Sequence, residues 1–165
     1  MKMHDFFQSH RDEICEMYLK PIGMASSKKD LADLLDINAC EWLCQMNARH
    51  GGIGEWVAAN FGNFINGRFV NERNGYTTEL YSGVSYANSQ LPLRCTVTAF
   101  IDCDAEIVVR RNEVRRIVCS KSRIKAVLEE NAELLVAKDG DSEISIECCE
   151  KSKYNIKDLK QDGLG

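Results

Sequence analysis

From residue 112 to residue 156 the chain repeats itself every ten residues, and few folds can accommodate that. Val114, Ile124, Leu134, Ile144 and Tyr154 fall at ten-residue steps. Two residues before each anchor stands Asn112, Ser122, Ala132, Ser142 or Ser152, and the residue between is charged: Glu113, Arg123, Glu133, Glu143, Lys153. Two residues after the anchors, Ala126, Val136, Ile146 and Ile156 keep one apolar face, while Arg116 departs from it. Such alternation reads as β-strand with one buried face.

Two architectures produce this pattern. In an antiparallel meander each unit is a strand and a turn, and Asp139-Gly140 closes a hairpin. In a β-solenoid each unit is a strand and a corner of a coil, and equivalent positions stack in columns. A meander tolerates turns of unequal length, so five units without an insertion favour the solenoid. Within the repeat, KSRIKAVLEEN (121–131) also carries helix propensity.

Upstream of the repeat the pattern is helical. Residues 5–19 place Phe7, Ile14 and Tyr18 at helical spacing before Pro21. Ser26 and Ser27 offer an N-cap for KKDLADLL, with Asp30 early in that helix. Asn38-Ala39-Cys40-Glu41 has capping-box spacing and predicts a helix over 39–49, ended by Gly51-Gly52. GEWVAANFGNFI predicts another, stopped at Asn66-Gly67. Residues 67–92, rich in Gly, Asn, Ser and Tyr, read as a connector with a short hairpin at Asn74-Gly75. The expectation is an α+β protein: a helical part over 1–66, the connector, a repetitive β part over 93–157 (β-solenoid-like, or alternatively an antiparallel meander) and a loose tail over 158–165.

Composition narrows the function classes. Of 165 residues, 44% are hydrophobic and 28% charged, as in a globular chain. The formal net charge of -4 supplies no overall attraction to nucleic acid or anionic lipid. MKMHDFFQSHRDE has no apolar run, so neither a secretory signal nor a membrane association is expected. The eight cysteines then read as reduced, mostly structural thiols in a cytoplasmic protein.

No complete set of catalytic residues is recognisable. His4, His10 and His50 are the only histidines, no nucleophile motif surrounds a cysteine, and phosphate loop, dinucleotide fingerprint and HExxH are missing. The expectation is a protein that is not an enzyme and needs no cofactor. Cys40, Cys44 and His50 are weak metal candidates, since thiols four residues apart share a helix face but a closed site needs a fourth ligand.

Charge is segregated along the repeat. Arg110, Arg111, Arg115, Arg116, Lys121, Arg123 and Lys125 face a single acid, Glu113, within 110–125, and acids dominate from Glu129 to Glu150. A basic band beside an acidic one could take an acidic protein, nucleic acid or another copy. It could equally line exposed strand edges against aggregation. GYTTELYSGVSYANSQ offers Tyr76, Tyr81 and Tyr86 as an adaptable binding loop, or as a collar buried between the two halves.

LADLLDINACEWLCQ (31–45) resembles the helix-turn-helix of bacterial DNA-binding proteins. Leu31, Ala32, Leu34, Leu35 and Ile37 match its first helix and turn, and Trp42 matches the recognition-helix anchor, with Asp36 where the turn usually has Gly. That resemblance implies base contacts from Gln45, Asn47 and Arg49. Over most of its length, from DLLDINACEWLC through FINGRFVNERNGYTTELY to the β repeats, the chain resembles small proteins of gut bacteria and their prophages, which implies an accessory protein of a mobile element and no particular activity. The functional expectation is a non-catalytic interaction protein binding a protein partner through the repeat face or the aromatic loop. The alternatives are a DNA-binding regulator and an assembly component, because stacked β units have ends that can extend.

Overall fold

In the computed structural model the repeat is a flattened β-solenoid of about four turns. The structure describes residues 36–61, 67–73, 76–90 and 95–159, with isolated positions before residue 36. The helix expected over 5–19 lies outside the described residues. The helix expected over KKDLADLL lies largely outside the described residues, but Ser27 and Asp30 exchange side-chain-to-backbone hydrogen bonds of 3.1 and 3.0 Å, the reciprocal pattern of a capping box.

Helix α1 spans Ile37–His50 and α2 spans Ile53–Phe61. Asp36, not Asn38, caps α1: its backbone is extended and its carboxylate accepts from the Ala39 N–H at 2.8 Å. This also explains why Asp stands where a helix-turn-helix would carry Gly, since no left-handed residue is needed there. Gly51, at φ 69°, ends the helix and returns its N–H to the Asn47 carbonyl.

Among the described residues ten strands follow: β1 (Arg68–Arg73), β2 (Tyr76–Ser82), β3 (Ser85–Gln90), β4 (Cys95–Ile101), β5 (Asp104–Val109), β6 (Val114–Ser120), β7 (Arg123–Leu128), β8 (Glu133–Lys138), β9 (Glu143–Cys148) and β10 (Lys153–Asp158). They form two sheets, β1-β2-β4-β6-β8-β10 and β3-β5-β7-β9. Apart from the antiparallel β1–β2 hairpin, every pairing is parallel. Consecutive ten-residue units therefore lie in opposite sheets and never pair, which excludes the meander. Each unit is half a coil. The expected hairpin is present, but β2 and β3 belong to the two sheets of the solenoid, so the segment read as a connector builds its first coil.

The register corrects the strict ten-residue alignment. Val114 pairs with Glu133 and Glu133 with Lys153, a step of 19 residues and then one of 20. Arg115, not Val114, thus stacks on Leu134 and Tyr154; Val114 is 60% exposed and Arg115 only 4%. Ile117 then takes the place that Arg116 could not fill. The cause is the corner: Lys121-Ser122 joins β6 to β7, whereas four residues, Asp139 to Ser142, join β8 to β9.

Inward residues of both sheets, among them Phe100, Ile107, Ile117, Ile124, Leu128, Leu134 and Val136, form one core. The outer face of the β4–β6–β8 sheet is apolar as well, and on it lie Leu43, Cys44 and Met46 of α1 against Val97, Ala99, Ile101, Val118 and Ala137. Burial on both faces explains the nearly continuous apolar run of CTVTAFI. The 121–131 segment is strand despite its helix propensity, because Ile124, Ala126 and Leu128 each complete a column of the core.

Candidate functional site

The corners show what the small polar residues of the repeat do. Ser122 Oγ accepts from the Cys103 N–H at 3.1 Å, and Ser142 Oγ accepts from the Ser122 N–H at 3.1 Å. Each serine thus satisfies a backbone donor of the coil before it. Beside this ladder the Asp139 carboxylate accepts from Ser120 Oγ at 2.7 Å, Ser142 Oγ at 2.6 Å and the Lys121 N–H at 3.0–3.1 Å. Such charge-assisted bonds in a buried place are the strong ones. Asp139-Gly140 is accordingly a corner that ties two coils, not a hairpin turn.

Asn47 joins α1 to these corners, donating to Ser120 Oγ at 3.0 Å and Asp102 Oδ1 at 3.2 Å. Its side-chain Oδ1 accepts from the Ile53 N–H at 3.3 Å. Asn47 and Gln45 are both buried, and only Arg49 of the three expected base-reading residues is exposed. In this arrangement α1 cannot present Gln45 or Asn47 to a DNA groove. Polar residues at recognition-helix positions imply outward-facing side chains. Asn47 faces inward because the corners beneath supply polar partners, Ser120 and Asp102.

The thiols of Cys40 and Cys44 are buried against the sheet, while His50 is exposed at the helix end. Among the described residues no three His, Cys, Asp or Glu side chains are grouped to hold a metal ion. Burial, first of all, raises the Cys44 thiol well above its ordinary pKa, with Cys119, Cys40, Asp139 and Cys103 adding to it. Cys119 is likewise pushed up to about 12, mainly by burial. These are packing thiols and poor nucleophiles.

The seven cations of the basic band do not share one surface. Arg110 and Arg111 occupy one corner and Lys121 the opposite one; Arg116 stands on the helix side beside Glu41 and Asn155; Arg123 and Lys125 project from the β3–β5–β7–β9 sheet. Arg115 points into the core, where its guanidinium lies 3.3 Å from Glu113. A coil is only about twenty residues long, so a basic segment of sixteen wraps most of the way round it. The acidic segment is the next coil, and the two neutralise each other: Arg111–Glu130 and Arg123–Glu143 at 3.2 Å, with Lys125 reaching Glu106 at 3.7 Å on the other side. Exposed pairs of this kind contribute about 0–1 kcal/mol each.

Of the tyrosines, Tyr81 is buried. It stacks on Phe100 at 5.3 Å and donates to the fully buried Glu79 carboxylate at 2.7 Å, which also pairs with Arg68 at 2.8 Å. It is core and not binding loop, because β2 alternation turns it inward with Glu79. Tyr76 and Tyr86 begin β2 and enter β3, and their side chains lie outside the described residues.

The outer face of β5, β7 and β9 carries the surface that sequence reasoning missed. Asp104, Arg123 and Glu143 form one column on it, Glu106, Lys125 and Ser145 a second, and Val108, Val127 and Glu147 a third. A shallow groove runs between the second and third columns. Val127 is 38% exposed, and no helix among the described residues packs on this face. Its signal was the apolar Val108 and Val127 at outward positions, legible only once inward and outward are known.

No helix among the described residues is long and apolar enough to cross a membrane. Comparison with protein-family models, with curated proteins and with solved structures returns no match.

Proposed function

We propose that the protein is a non-catalytic interaction protein that takes a protein partner on the outer face of β5, β7 and β9. The observation that carries this reading is the asymmetry of the solenoid. One outer face is apolar and buried beneath α1, whereas the other is covered by no helix among the described residues and carries a valine strip, Val108–Val127, beside the charged column of Glu106 and Lys125. A flat rigid face of alternating charge flanking an apolar strip suits a partner strand or helix of complementary charge. Backbone hydrogen bonding throughout the parallel ladders keeps that face pre-organised, so little ordering entropy opposes binding.

The test is capture of a partner from the native host, followed by calorimetry on the purified pair with Val127→Glu and Lys125→Glu. Both substitutions lie at exposed positions and leave the core alone. The expected result is a loss of affinity of at least ~10-fold, since a charge placed in an apolar contact removes its burial. Unchanged affinity in both variants would move the binding site elsewhere and defeat the proposal.

A further inference from the structure

Among the described residues, none covers the end of the solenoid formed by β9 and β10. In β9 and β10 the inward side chains Ile144, Ile146, Tyr154 and Ile156 lie in the core columns, yet Tyr154 is 52% exposed and Ile156 38%. Their backbone is open too. The Glu143, Cys149, Lys153 and Leu159 N–H groups all bond carbonyls of the preceding coil. In a parallel ladder the bonded residues alternate, so residues 144, 146, 148, 154, 156 and 158 direct their N–H and C=O out of the end. Leu159, the last described residue, is buried on the helix side of the sheet.

We infer that this end is a self-association surface, on which a second copy of the chain adds its own β9 and β10 about a two-fold axis parallel to the strands. This proposal concerns a different surface from the partner face of β5, β7 and β9 and stands independently of it. The axis lays β10 of one copy antiparallel to β9 of the other, twice. The matching register sets Ile144 opposite Ile156 and Ile146 opposite Tyr154 of the second copy, in hydrogen-bonded pairs whose free N–H and C=O groups face each other. The open core columns then close on apolar side chains.

Charge selects this arrangement over the other possible two-fold. On the outward faces the same register sets Glu143 opposite Lys157, Ser145 opposite Asn155, and Glu147 opposite Lys153. The alternative axis, perpendicular to the sheets, would set β9 on β9 and β10 on β10, with Glu143 against Glu147 and Lys153 against Lys157. Like charges directly opposite are destabilising in a sheet. The favoured register also continues an alternation already present within the chain. Along one face run acidic β5, basic β7 and acidic β9, and on the other acidic Glu133 precedes basic Lys153. A basic strand is next in sequence on the first face and an acidic one on the second, which are β10 and β9 of another copy. The intrachain pairs Lys153–Glu133 at 3.7 Å and Lys157–Glu41 at 3.2 Å are exposed on the lysine side and leave those ammonium groups able to reach across.

Sedimentation equilibrium across a concentration series tests the proposal, with two charge-reversed proteins, E143K/E147K and K153E/K157E. Wild type is expected to dimerise, and each reversed protein alone to lose affinity by ~100-fold or more, as every outward charged pair becomes like-charged. An equimolar mixture of the two is expected to recover the dimer, which also demonstrates that both fold. A second measurement reads the register: in a Cys148→Ser/Cys149→Ser background, Ser145→Cys mixed with Asn155→Cys should form an intermolecular disulfide that neither forms alone. A wild type that stays monomeric at millimolar concentration, a mixture that does not associate, or Ser145→Cys cross-linking with itself would overturn the proposal.

Discussion

Burial of the cysteines makes a pH-dependent prediction at the scale of single residues. Cys44, Cys103 and Cys119 all have thiol pKa values raised chiefly by burial, Cys119 to about 12 from an ordinary value of 9.0. Well below pH 9 these thiols are neutral in both folded and unfolded chains, so they give no pH dependence there. Above it the unfolded chain ionises while the folded one stays neutral, which favours unfolding. Stability should therefore fall as pH rises from 9 towards 12, by an amount on the order of a few kcal/mol. Urea melts at a series of alkaline pH values measure this, and Cys119→Ala combined with Cys44→Ala should flatten the slope. At pH 8, site-resolved alkylation should modify Cys148 and Cys149 rapidly and leave Cys40, Cys44, Cys103 and Cys119 protected until urea unfolds the chain. A slope unaffected by the double substitution would assign the alkaline transition to other groups.

At the scale of elements, the entry into the solenoid depends on Gly67. It precedes β1 at φ 76°, and a Cβ there would lie 2.8 Å from the Ser82 carbonyl and against the Val84 side chain. Backbone cannot yield as a flexible side chain does, so Gly67→Ala should destabilise by about 2–3 kcal/mol, the left-handed cost plus the clash. Gly83→Ala is the control, with φ 62° and open space around it, and should cost only about 1–2 kcal/mol. Thermal melts of the two variants compare them directly; equal losses would remove the close approach from the account. The same elements explain what the sequence disclosed. Ten-residue spacing exposed the strands, and Gly51 exposed the end of α1, because both are local periodicities or local backbone needs. Arg115 departs from the ten-residue columns because a coil takes 19 residues up to β8 and 20 beyond it, and spacing alone does not reveal where the coil lengthens. The inward direction of Asn47 and Tyr81 follows from partners remote in sequence, Ser120 for the one and Phe100 for the other. Asn47, for one, meets Ser120 only after α1 has docked.

At the scale of the whole molecule, a solenoid has no single centre, and each coil is held mainly by its two neighbours. The cost of removing a core side chain should therefore depend on where along the axis it lies. Leu134 is fully buried between the columns of β6 and β10, so Leu134→Ala should cost about 3–5 kcal/mol. Ile146 occupies an equivalent inward place in the last coil but remains partly exposed. Ile146→Ala should cost only about 1 kcal/mol when the protein is dilute. Self-association changes this difference in a way that contacts within one chain cannot. When a second copy covers Ile146 with its Tyr154, the side chain gains the burial that Leu134 already has. Urea unfolding at low micromolar protein should thus show a large gap between the two variants, and unfolding at hundreds of micromolar a smaller one. The wild type should also gain stability with concentration, by mass action on the folded state. A gap independent of concentration would mean that the end coil stays open in solution. Equal costs at every concentration would mean that Ile146 is already covered within a single chain.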